Sequence, residues 1–193
     1  MKKIEIIEEI NEKNLFLRKI SLDDVLFFYE SLSSKENNIT KFLSLGPVLS
    51  KDHAKKIIKN YLDYWKKHSQ FNYIIEIRNM KDDVEQVKKA GSISIWGISW
   101  LHQRAQIGIW LNSKYWNQGL AKKALNLIKI ISFNHLKLNR LEAYIALKNS
   151  KSIKLFKTCG FIQEGVLRQY LNLKGTFKDA VLLCCLKNAE WQE

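Results

Sequence analysis

Apolar and polar positions change period several times along this chain, and each change predicts an element. Residues 14–20 (NLFLRKI) alternate with period two and predict a first strand. Ser21 to Asp24 (SLDD) then reads as a capping box with Asp in place of Glu, opening a helix that runs to about Leu32. Residues 33–49 are polar, then apolar, hold the only proline and read as a loop. Ser50 caps a second helix, in which Ala54, Ile57, Ile58, Tyr61, Leu62 and Trp65 recur at helical spacing. Residues 71–78 (FNYIIEIR) predict a strand, and 80–90 (MKDDVEQVKKA) an exposed charged turn. Two more strands, 91–100 and 103–111, form a hairpin around Leu101 and His102. A long helix follows from near Asn117 to about Leu136, its apolar positions being Ala121, Ala124, Leu125, Ile128, Ile131 and Phe133. Residues 140–146 predict a strand, 150–159 a helix, 161–173 an extended segment and 180–186 a last strand.

This order describes a mixed α/β layer sandwich, with helices covering a twisted sheet. The length of 193 residues suits one domain spanning 1–193, and no linker or repeat divides it. Gly97 and Gly108 fall inside strands, where glycine marks a bulge or a close approach.

Composition narrows the class. With 46% apolar residues the chain can build a core, which excludes a disordered tail. No apolar run is long enough for a bilayer, and Glu5, Glu8 and Glu9 interrupt the N-terminus where a signal peptide needs apolar residues. The expectation is a cytoplasmic protein with no membrane partner. Cys159 stands alone, while Cys184 and Cys185 are adjacent and point to opposite faces of a strand. No metal is expected, because His53, His68, His102 and His135 are scattered without ligand spacing. The net charge of +13 comes from 27 lysines and only 5 arginines spread over nearly every segment. That spread reads first as a solvated surface, and second as attraction for an anionic partner such as a phosphorylated cofactor or RNA.

Residues 116–121 (WNQGLA) stand between a strand and an amphipathic helix. Small residues at Gly119 and Ala121 let a ligand approach the backbone, and the N–H groups of a helix's first turn have no partner within the helix. Such a terminus favours phosphate, with Lys122 and Lys123 adding charge at the rim. The loop alone is a weak signal. Its spacing to Asn149 and Ser152, which open the next helix, and to Gly160 and Phe161, which close it, is more telling.

The segments IGIWLNSKYWNQGLAKKAL and NRLEAYIALKNSKSIKLFKTCGFIQEGVLRQYLNLKGTFKDAVLL resemble the GCN5-related N-acetyltransferase (GNAT) family over about 107–186. Within it they are most similar to the ribosomal-protein N-terminal acetyltransferases that modify alanine or serine amines. The resemblance implies a mixed, mostly antiparallel twisted sheet of six to seven strands flanked by about four helices. It also implies acetyl-CoA as cosubstrate, its pyrophosphate on the amides of Asn117, Gln118, Gly119, Leu120 and Ala121, with Trp116 and Lys122 as flanking cofactor-binding residues. The pantetheine arm would pair with the backbone of Ile109, Trp110 and Leu111, with Asn149 at the mouth of the channel and Ser152 near the thioester. The chain departs from the family pattern at Asn117, where similar proteins carry glycine, so the resemblance implies a less preorganised turn.

For catalysis the resemblance implies direct attack by a neutral amine. The position of the usual acid, a tyrosine four residues before the helix-ending glycine, is Phe156, and a frequent base position is Ile145. Glu142 and Ser152 (through a water) are the candidates, with Tyr170 outside them. Glu142 has an alternative reading as a salt bridge with Arg140 or Arg168, and Tyr170 as a wall of the acceptor cleft. A weak base suits an α-amine, whose pKa of about 7.7–8.0 makes deprotonation at pH 7 cost only about 1–1.4 kcal/mol. A lysine or polyamine amine near 10.4 would cost about 4.6 kcal/mol. A buried carboxylate such as Glu76 or Glu142 beside the channel would undo that argument.

The leading expectation is therefore acetylation of a protein or peptide N-terminus, the ribosome being one setting. Alternatives are acetylation of a small amine (polyamine or antibiotic), and a non-catalytic acetyl-CoA or RNA-binding module. Basic residues in 33–51 and 167–178 disfavour a polyamine. The sequence leaves monomer and homodimer both open.

Overall fold

The computed structural model describes residues 4–33, 39–45 and 47–188. The strands are β1 (Glu9–Glu12), β2 (Leu15–Lys19), β3 (Phe71–Lys81), β4 (Val84–Ser99), β5 (Arg104–Leu111), β6 (Arg140–Ala146), β7 (Ile162–Leu173) and β8 (Thr176–Leu186). The α-helices are α1 (Val25–Leu32), α2 (Lys51–Lys66), α3 (Leu120–Ile130) and α4 (Ser150–Thr158).

Local chemistry sets the helix ends. The Ser21 N–H donates to Asp24 Oδ2 at 2.8 Å while the Ser21 hydroxyl accepts from the Asp23 N–H, the reciprocal bonds of a capping box. A 3-10 turn over Leu22–Asp24 leads from it into α1. Ser50 Oγ accepts the His53 N–H at 3.0 Å and starts α2. Gly160, at φ +85°, ends α4, and the Phe161 N–H reaches back to the Phe156 carbonyl at 3.1 Å.

The strands form one sheet in the order β1-β2-β3-β4-β5-β6-β8-β7. All neighbours are antiparallel except β5 and β6. One face is covered by α3 and α4, which bury Leu125, Ile128 and Phe156 against Leu17, Ile93, Ile107, Leu141 and Leu183. The other is covered by α1 and α2, which bury Phe28, Leu32, Ala54 and Ile58 against Ile20 and Ile74. Alternation along β3 splits Tyr73 and Ile75 from Ile74 between these two cores.

Several expectations need correction. The sheet has eight strands among the described residues, one more than the upper estimate, because the short β1 pairs with β2. Residues 80–90 are not a turn: β3 and β4 continue as a paired hairpin, with only Asp82 and Asp83 turning at positive φ. That hairpin end is exposed on both faces, so it carries no apolar alternation. The helix after the loop is α-helical only to Ile130 and finishes as a π-turn over Ile131–His135. Of the loop expected at 33–49, residues 34–38 and 46 lie outside the described residues, and Thr40–Phe42 forms a 3-10 turn. As expected, Cys184 is buried and Cys185 half-buried.

Candidate active site

The parallel pairing of β5 with β6 covers only Arg104↔Arg140, Ala105↔Leu141 and Gln106↔Glu142. Beyond that point β5 stays on β4 to Leu111, and β6 stays on β8 to Ala146. The two strands therefore part from a vertex at Gln106 and Glu142, and residues 107–111 face 143–146 across an unpaired gap. Backbone groups along such a free edge need partners, so an extended ligand bearing amides fits between them.

Alternation assigns the side chains along the gap. Ile107 and Leu111 go to the α3–α4 core, and Trp110 goes to the α1 side. There Trp110 stacks on Phe27 (5.8 Å, 21°) and meets Phe28 edge-on (5.7 Å, 74°). Gly108 shares that face: an added Cβ would lie 2.7 Å from the Trp96 ring, the close approach its sequence position predicted. Trp96 and Trp110 are half-buried and Trp100 is 37% exposed, so places on neighbouring strands do not make any of the three a fully buried core residue. Gly97, at φ +58°, marks the predicted bulge between Trp96 and Ser99.

At the open end of the gap, residues 112–119 fold over a 3-10 turn, Ser113–Tyr115, capped by Asn112 Oδ1 accepting the Lys114 N–H at 3.3 Å. Trp116 Nε1 donates to the Leu111 carbonyl (2.8 Å), and Gln118 Nε2 donates to the Lys114 carbonyl (2.8 Å). Asn117 (φ +59°) and Gly119 (φ +73°) both take the left-handed conformation. Gly119 is the N-cap of α3 and supplies no side-chain cap, so no side chain takes up the amides of Leu120, Ala121 and Lys122. Lys122 is exposed at this terminus, and Lys151 Nζ lies 5.5 Å above the Trp116 ring. Together these form an anion cradle with a cationic rim, which fits a pyrophosphate.

On the far side, Asn149 caps α4 through Oδ1, which accepts the Ser152 N–H at 3.3 Å. The capping role read from sequence is present, and both residues are half-buried beside the end of β6. Phe156 is 2% exposed and packs edge-on against Phe161, so this position serves the core.

Glu142 lies at the vertex, 4% exposed. Its Oε1 accepts from Arg140 Nε at 2.7 Å; its Oε2 accepts from the Tyr144 hydroxyl at 2.8 Å and from Arg104 at 3.4 Å. The salt-bridge alternative with Arg140 is thus present, with Arg104 rather than Arg168 as the second partner. Arg140 also clasps Glu164 with both terminal nitrogens, at 2.8 and 2.6 Å, and touches Cys184 Sγ. Burial, and then the neighbouring Glu164, push the Cys184 thiol up to about 12, which leaves it inert near neutrality. Glu76 is also buried, but it lies on β3 between Arg18 and Arg78, two strands from the gap. Glu142 therefore meets the burial condition that would undo the weak-base argument. Its Oε1 is engaged by Arg140 alone, while Oε2 is shared by Tyr144 and Arg104.

Tyr170 is reached by an unforeseen route. Register shifts between Leu167 and Leu171 of β7, where Gln169 has φ +51° and its N–H bonds Asp179 Oδ1 at 2.9 Å. The bulge carries Tyr170 across β8 to stack on Tyr144 of β6 (4.6 Å, 22°). The sequence reading passed over Tyr144; its alternation with Glu142 on a predicted strand was the available signal. No group of His, Cys, Asp and Glu capable of holding a metal occurs among the described residues.

A splayed parallel strand pair that opens onto a helix terminus without a side-chain cap leaves room for an extended ligand with an anionic end. The comparisons make this particular. The acetyltransferase (GNAT) domain profile matches residues 14–162, and the chain belongs to that family. It is an acyltransferase with acetyl-CoA as cosubstrate. The chain is 29% identical to the N-acetyltransferase p20 of Bacillus licheniformis over 182 residues, covering 93% of this chain and 97% of that one. The ribosomal-protein-S5-alanine acetyltransferase from Vibrio fischeri shares the fold at a TM-score of 0.79 and 20% identity, covering 96% and 99% of the two chains. So does the spermidine N-acetyltransferase from Vibrio cholerae solved with CoA and spermine, at 0.77 and 22%, covering 91% and 97%. No described helix is long and apolar enough to cross a membrane.

Proposed function

We propose that this acetyltransferase acts on the N-terminal α-amine of a protein or peptide. The observation that carries the reading is the state of the buried carboxylates. Asp24 and Glu76 are bonded by arginine at both oxygens, and Glu142 is engaged by Arg140, Arg104 and the Tyr144 hydroxyl, so the carboxylate at the gap is already committed to an ion-pair network. An α-amine needs only about 1–1.4 kcal/mol to shed its proton at pH 7, against about 4.6 for a lysine or polyamine amine. The aromatic walls on the acceptor face, Trp110 with Phe27 and Tyr144 with Tyr170, likewise offer no anionic seat for a polycation.

In this reading the amides of residues 117–122 and the cationic rim hold the pyrophosphate, and the free edge of β5 at Ile109, Trp110 and Leu111 orients the pantetheine arm. The neutral amine enters from the α1–α2 face and its nitrogen bonds the acetyl carbon. The carbon–sulfur bond breaks, the nitrogen sheds one proton to solvent, and the thiolate takes one up. In this reading Ser152, at the first turn of α4, delivers that second proton directly or through a water. Asn149 holds the turn that positions it. The setting of the reaction is the cytoplasm, with nascent or ribosomal proteins as acceptors.

A polyamine acceptor is the second reading, favoured by the 24% identity to a Vibrio cholerae spermidine N(1)-acetyltransferase over 67% of this chain. Thiol release from acetyl-CoA against Ala-, Ser- and Met-starting peptides, a lysine peptide and spermidine separates the two. Turnover confined to peptides with free N-termini is expected. Faster turnover of spermidine would overturn the proposal.

A further inference from the structure

We propose that the Tyr144 hydroxyl accepts a hydrogen bond from the acceptor amine and so aims its lone pair at the thioester. The inference rests on the acetyl-transfer reading of the gap, but not on which amine is the acceptor. Along the two free edges, residues 107–111 and 143–146, the side chains are those of Ile, Gly, Ile, Trp, Leu and Ala, Tyr, Ile, Ala. Among them Tyr144 carries the one side-chain hydrogen-bond acceptor. It lies two residues past the vertex, on the face of β6 shared by Glu142 and opposite the α3–α4 core to which Ala143 and Ile145 belong.

The direction of its existing bond follows from its partner. A carboxylate held by two guanidiniums only accepts, so the phenol proton is committed to Glu142 at 2.8 Å. The phenolic lone pairs then face a donor from the other side, a place for which the neighbouring Tyr170 hydroxyl also competes. Burial, the bond to Glu142 and its charge all raise the phenol's pKa, so the group stays neutral and keeps this direction over the working range. Tyr144 therefore serves as an acceptor and not as a base. A primary amine can give one N–H to this oxygen and lose the other after attack, while its lone pair turns toward the gap.

The fold also fixes the ring. Tyr170 stacks on it at 4.6 Å, brought there by a β7 bulge that holds Gln169 at positive φ. A backbone distortion in an edge strand that delivers one aromatic ring onto another is costly local geometry, and preorganising Tyr144 gives it a purpose.

The test is Tyr144→Phe, which keeps the ring and the stack and removes only the oxygen, assayed with whichever acceptor the wild type turns over fastest. The expected result is a fall in kcat of about tenfold or more, as for loss of one well-oriented hydrogen bond at the reacting group. Acetyl-CoA affinity by calorimetry should hold, the melting temperature should fall by a few degrees for the lost bond to Glu142, and the pH–rate profile should keep its shape. Tyr170→Phe, which keeps the stack and removes the neighbouring hydroxyl, should leave kcat near wild type, and Tyr170→Leu, which also loosens the ring, should show a fall smaller than that of Tyr144→Phe with the same unchanged affinity. Activity of Tyr144→Phe within twofold of wild type would overturn the proposal. So would an equal loss of acetyl-CoA affinity, which marks a structural role, or a shifted pH profile, which marks a titrating base.

Discussion

The indole N–H of Trp116 donates to the carbonyl of Leu111 at 2.8 Å, so the phosphate loop is tied to the last residue of the strand that borders the gap. Both ends of a bound coenzyme would meet elements joined by this one bond. Trp116→Phe keeps most of the packing and removes the donor. It should weaken acetyl-CoA binding by about 1 kcal/mol, or roughly fivefold, measured by calorimetry. The melting temperature should change little, because the bond is at the half-buried rim.

Gly119 tests the cradle through backbone conformation alone. Its φ of +73° is in the left-handed region, and a Cβ built there meets nothing within 4 Å. Gly119→Ala therefore adds no clash, only a strain of about 1–2 kcal/mol. Acetyl-CoA affinity should fall roughly fivefold to thirtyfold, with the acceptor KM unchanged, in steady-state kinetics.

Arg140 holds three strands through Glu142, Glu164 and Cys184. Lysine keeps its charge but not the fork that bonds both glutamates. Arg140→Lys should cost about 1–2 kcal/mol of stability by chemical denaturation, and Arg140→Ala about 3, since it leaves buried Glu142 with the Tyr144 hydroxyl and, as its one remaining cation, the more distant Arg104.

Acid should unfold the protein through a second network. Burial alone would raise the Asp24 carboxyl, but bonds from Arg18 and Lys89 outweigh it and hold the group below its usual range. Glu76 is held down in the same way, by Arg18 and Arg78 against burial. A carboxylate depressed in the folded state contributes stability above its unfolded pKa of about 4, and loses it as pH falls through the folded value. The melting temperature should be level from pH 8 to about 5 and drop steeply below about 4. Asp24→Asn should melt lower at pH 7 and show a shallower acid drop.

Much of this was legible in the chain because it rests on local chemistry. Ser21 with Asp24, Ser50, Asn149 and Gly160 each announce a helix end through a side chain or a φ value that neighbours cannot alter. The turn at residues 116–121 before α3 was legible for the same reason. What escaped depends on pairing across the sheet. Residues 80–90 read as a turn because a hairpin exposed on both faces has no apolar period to display. β1 is four residues long and identified only by its partner. Tyr170 over Tyr144 follows from a bulge on a strand two places away in the sheet, which no spacing within either segment encodes, whereas the pairing of Glu142 with Arg140, two residues apart on one strand, was open to reading from the sequence.

The central claim is selection of an α-amine, and one peptide tests it most directly. A decapeptide starting with alanine and carrying a single internal lysine presents both amines at the same concentration. After incubation with acetyl-CoA and the enzyme at pH 7, tandem mass spectrometry locates the added acetyl group. Label confined to the N-terminal nitrogen is the predicted result. Label on the lysine side chain, at a rate equal to or above that on the terminus, would contradict it.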